Sequence, residues 1–133
     1  MSNELNRRAV KRILEASEKK TLSAIRKDWQ NCVAFKEEQI REIQHRMYGS
    51  IEQLRESRGE LRTQEYNLNN LVTQDDIPEN KTVRKVIRDI ENAVRDIMAA
   101  RGYIENRKAE IHRIEDELAE AREVIGTIDK LSA

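Results

Sequence analysis

The chain has 133 residues, of which 38% are charged and 4% aromatic; 25 Lys and Arg balance 25 Asp and Glu for a net charge of zero. That composition is rich in helix formers and poor in core-filling bulk, which excludes a large compact globule, and zero net charge excludes a whole-molecule field that draws in nucleic acid or anionic membrane. The single cysteine, Cys32, excludes an internal disulfide framework and reads as a half-buried helical residue.

Residues 1–20 form the first expected element. Leu5, Ala9, Val10, Ile13, Leu14 and Ala16 fall within one half of a helical wheel, and Arg7, Arg8, Lys11, Arg12 and Lys19 within the other. Residues 1–28 hold eight Lys or Arg against four Asp or Glu. The basic face is either a solvated surface or a nucleic-acid-binding face running through residues 7–20, with Arg7, Arg8, Lys11 and Arg12 as its candidates. An anionic lipid surface fits less well, because the segment lacks Trp and Phe anchors. The stretch from Ser17 to Thr21 interrupts the apolar pattern, and Thr21 is placed to cap a new helix.

Residues 21–72 read as the first arm of a hairpin. Val33, Ile40, Met47, Leu54, Leu61 and Leu68 recur every seven residues, with Lys36, Ile43, Ser50, Ser57, Gln64 and Leu71 between them. A strict seven-residue repeat is what two helices need to remain in contact while supercoiling. Glu42 and His45 have the Glu-x-x-His spacing of di-iron bundle ligands, but the second arm has no matching Glu before His112, so no metal site is expected. The four glycines are scattered and form no phosphate-binding loop.

Asn67, Asn69 and Asn70 weaken the helix end, and residues 73–81, with the only proline, Pro78, form an acidic turn. Asp76 followed by Glu79 fits a capping box that starts the next helix. The same phrase, Asp76-Ile77-Pro78-Glu79-Asn80, resembles the hairpin tip of Gre-type transcript cleavage factors. That resemblance implies a polymerase-channel role in which Asp76 and Glu79 help hold a catalytic magnesium.

Residues 82–131 form the second arm. Val83, Ile90, Ile97, Ile104, Ile111, Leu118 and Ile125 repeat at seven, and Val86, Ala93, Ala100, Arg107, Ile114, Ala121 and Ile128 stand three residues after each. If the chain reverses near residue 77, seam partners carry numbers summing to roughly 155. Near the turn the stripe is wider than one partner needs, and Ile87, Val94 and Met98 become candidate partner-binding residues.

The expected fold is all-α: a long antiparallel two-helix coiled-coil hairpin with a short amphipathic N-terminal helix. That helix either folds back near Trp29, Phe35, Val124, Ile125 and Ile128 as a three-helix base or packs on another subunit. The absence of an apolar signal core or a span-length apolar run points to a cytoplasmic chain with no membrane span. A two-helix seam encloses no water-excluding pocket, so neither an enzyme nor a cofactor is expected. The functional expectation is a protein-binding, homo-oligomeric adaptor, chaperone or scaffold, an accessory of a phage or bacterial assembly. A nucleic-acid-associated or transcription-regulating protein is the alternative.

Overall fold

The computed structural model describes residues 3–17, 21–73 and 80–132. All three elements are α-helices: α1 (Asn3–Ser17), α2 (Leu22–Val72) and α3 (Asn80–Ser132). Among the described residues there is no strand, and α2 and α3 pair as an all-α helical hairpin. No helix among them is long and apolar enough to cross a membrane.

Local chemistry sets the helix ends. Thr21 caps α2: its Oγ1 accepts from the backbone N–H of Ala24 at 3.3 Å, and its carbonyl accepts from that of Ile25 at 3.0 Å. At the other end Thr73 closes α2, donating from its backbone N–H and from Oγ1 to the carbonyl of Asn69. α3 starts at Asn80. Asp76 and Glu79, and with them the capping-box and polymerase-tip readings, lie outside the described residues.

The seven-residue repeat becomes the seam. Every position of the four interleaved series in α2 and α3 is buried or half-buried, including the polar Lys36, Ser50, Ser57 and Gln64 and the cationic Arg107. Arg107 keeps its place by lying along the seam with its guanidinium 5.0 Å from the ring centre of Tyr103 one turn earlier.

The chain divides into two compact units, Met1–Ile43 with Ala109–Ala133, and Gln44–Lys108. In the first, α1 lies on the α2–α3 pair. Ala9, Ile13, Ile25, Val124 and Ile128 form one buried cluster, with Ala16, Leu22 and Trp29 packed against it. This is the fold-back alternative for the N-terminal helix. Three ion pairs tie α2 to α3 here: Arg26–Asp129, Lys36–Glu117 and Glu37–Arg122. Their residue numbers sum to 155, 153 and 159 (26 with 129, 36 with 117, 37 with 122), so the helices run antiparallel in the register expected from the seam.

One expectation about this unit needs correction. Phe35 is exposed rather than part of the base, because it stands two residues after Val33 and so points away from the seam. Val10 and Leu14 are exposed too, since the stripe of Ala9, Ile13 and Ala16 occupies the contact and the other two lie about 100° further round the helix.

In the Gln44–Lys108 unit the seam is thin. Its buried residues are Ala93, Ala100, Ile104 and Ser57, whereas nine other buried apolar residues belong to the first unit. Small residues bring helix axes close but bury little area each, so most of the apolar stabilisation resides where α1 adds a third layer.

Candidate interaction surfaces

Among the described residues, no group of His, Cys, Asp and Glu is arranged to hold a metal ion. Glu42, His45 and His112 are all exposed. Cys32 is a half-buried free thiol. The candidate surfaces are therefore helix faces.

The first is the basic face of α1. Arg7, Arg8, Lys11 and Arg12 are all exposed, and a shallow surface depression runs past Asn3, Asn6, Arg7, Val10, Lys11 and Leu14. Three of the four cations have carboxylate neighbours: Arg8 with Glu4 at 2.8 Å, Lys11 with Glu15 at 4.0 Å, and Arg12 with Glu120 of α3 at 2.7 Å. The Arg12 guanidinium also sits 5.4 Å from the ring centre of Trp29. Arg12 thus joins all three helices, and the face is closer to neutral than its sequence reads.

The second is an edge of the Gln44–Lys108 unit. Ile87, Val94 and Met98 are 41%, 40% and 69% exposed, and Val72 of α2 is 53% exposed. In the heptad frame of the seam, Val72, Ile87 and Val94 hold equivalent flanking positions of the two helices. In the antiparallel pair such positions face one another, as Glu37 and Arg122 do in the other unit. The same flank carries Ile51, Arg58 and Glu65 on α2 and Arg101 on α3, all exposed.

A groove in the same unit is lined by Ser57, Glu60, Asp89, Asn92, Ala93 and Asp96. Beside the small pair Ser57 and Ala93 it carries three carboxylates, Glu60, Asp89 and Asp96, and the amide of Asn92.

Sequence reasoning missed a fourth surface, the outward face at the start of α3, where Lys81, Arg84, Lys85 and Arg88 line one continuous concavity with Thr82. Its signal was present as cations spaced at i, i+3, i+4 and i+7 with no acidic residue between them.

Electrostatics elsewhere are those of surface pairs. Lys36 donates to Glu117 and holds its carboxyl below the usual range, with smaller help from the charge of Arg113. Arg26 donates from Nε and Nη2 to the two carboxylate oxygens of Asp129, which lowers the Asp129 pKa and raises that of Arg26.

Comparison with protein-family models, with curated proteins and with solved structures finds no match.

Proposed function

We propose that this chain is a non-catalytic protein–protein interaction module, an adaptor, chaperone or scaffold, that self-associates through the apolar edge of its Gln44–Lys108 unit. The observation that carries the reading is the exposure of Ile87, Val94 and Met98 beside Val72 on a unit whose own seam is thin. An apolar edge of this kind gains by being covered, at about 25 cal/mol per Å² of apolar surface removed from water.

A second copy is the fitting cover. A two-fold interface must be complementary to itself, and this edge mixes apolar residues with both signs of charge, Arg58 and Arg101 against Glu65. Light scattering on the eluting protein at two concentrations tests it. The parent chain is expected as a dimer or larger assembly, and Val94→Asp with Met98→Asp as a monomer of unchanged helicity. A parent chain that stays monomeric at both concentrations overturns the self-association.

A further inference from the structure

We infer that the outward face of α3 in the Gln44–Lys108 unit is a docking surface for the phosphate backbone of duplex nucleic acid, with Lys81, Arg84, Lys85 and Arg88 as its contacts. All four are exposed and share one concavity. They lie within about 10.5 Å of helix axis at 1.5 Å per residue. Among the described residues none of them forms an ion pair.

Two independent features make this cluster unfavourable for the helix itself. Lys81 with Arg84, Lys81 with Lys85, Arg84 with Arg88, and Lys85 with Arg88 are like-charge neighbours at three- and four-residue spacing, each of which disfavours helix. Lys81 also stands in the first turn of α3, where the helix dipole is positive and favours anions over cations. Lys85 with Asp89 and Arg88 with Glu91 are opposite charges at the same spacings and offset part of the repulsion; a polyanion laid along the cluster relieves what is left.

The lining of the concavity indicates which polyanion. Lys81, Thr82, Arg84, Lys85 and Arg88 include neither a carboxylate nor a large apolar side chain; further along α3 the exposed positions are mixed, with Glu91, Met98 and Glu105 beside Asn92, Arg95 and Asn106. Protein interfaces build their centres from apolar and aromatic anchors and exclude lysine there, and a membrane-surface helix needs apolar side chains to insert. A duplex backbone needs neither. It presents about one negative charge per 1.7 Å of its axis and is held by Lys and Arg without an apolar anchor.

Fluorescence anisotropy of the full chain with labelled DNA duplexes of about 25 base pairs, in two unrelated sequences, tests the inference. Four phosphate contacts give a slope of log K on log salt near −3.6, so raising salt from about 50 to about 200 mM should weaken binding about 150-fold, equally for both sequences. Joint replacement of Lys81, Arg84, Lys85 and Arg88 by Gln should abolish that slope and lower affinity more than tenfold at low salt. It should leave helicity intact and raise Tm, because the repulsion and the dipole conflict are removed. Swapping the same residues within the basic class, Lys for Arg and Arg for Lys, should preserve binding. No duplex binding at low salt, binding that survives the Gln replacement, or binding to anionic vesicles but not to duplex would each overturn it.

Discussion

Arg12 of α1 donates from Nε to Glu120 of α3 at 2.7 Å while its guanidinium lies over the Trp29 ring of α2. One side chain thereby fixes the angle at which α1 meets the pair. Arg12 is about half exposed, so its ion pair is screened, and the ring contact adds a comparable amount. Arg12→Ala should cost about 1 kcal/mol, confined to the docking of α1. Hydrogen exchange is the measurement: faster exchange in α1 with α2 and α3 unchanged is expected, and equal acceleration in all three would mean that α1 does not dock as a separate layer.

The buried cluster predicts an order of severity. Ile25 and Ile128 are almost fully enclosed and belong both to the α2–α3 seam region and to the seat of α1, whereas Ile13 belongs to α1 alone. Ile25→Ala and Ile128→Ala should each cost about 3 kcal/mol, within the range for buried Ile truncation. Ile13→Ala can lose no more than the free energy with which α1 docks. Urea unfolding of the three variants checks this, and an Ile13→Ala cost exceeding the other two would remove the distinction.

Much of this architecture is legible in the sequence for a simple reason. A seam that must stay on one side of two supercoiled helices forces a period of seven, and that period survives even where its occupants are Ser50, Ser57, Gln64 or Arg107. The register follows because two such series fit only when their numbers sum near a constant, as the Arg26–Asp129 pair shows. The place of α1 is less legible. An amphipathic face states that it needs a cover without saying which cover, and Val10 and Leu14 look as eligible for burial as Ala9 and Ile13. Phe35 lies near the base in sequence, but its wheel position points elsewhere. The charge pattern of α1 misleads for a related reason: Glu120 lies 108 residues from Arg12, so a neutralising partner is invisible until the fold is known.

Acid should loosen the Met1–Ile43 and Ala109–Ala133 unit. Lys36 and Arg26 hold the Glu117 and Asp129 carboxyls below their usual pKa, so the folded state binds protons less readily than the unfolded chain. The stability these pairs supply is complete above the usual carboxylate range and is lost as pH falls through it toward the depressed folded values. Both acids are exposed enough for salt to weaken the effect. Urea midpoints taken from about pH 6 to about pH 3 should fall, and should fall less in Glu117→Gln with Asp129→Asn. An equal decline in parent and variant would assign the acid sensitivity to other groups.

The glycines of α2 offer a probe of whether its outer surface is free. Gly49 and Gly59 are exposed in the middle of a helix, where glycine costs up to about 1 kcal/mol relative to alanine. A Cβ built at either meets nothing within 4 Å, and neither has a positive φ. Gly49→Ala and Gly59→Ala should therefore each raise Tm, by a few degrees at most given the usual entropy of unfolding for a chain this size. Melting at low and high protein concentration separates two causes if the sign is reversed. Within one copy an added methyl at these positions has only open space to enter. A destabilisation that grows with concentration would show that the outer face of α2 is covered by a second chain, and would move the self-association surface from the Val94 edge to the glycine face.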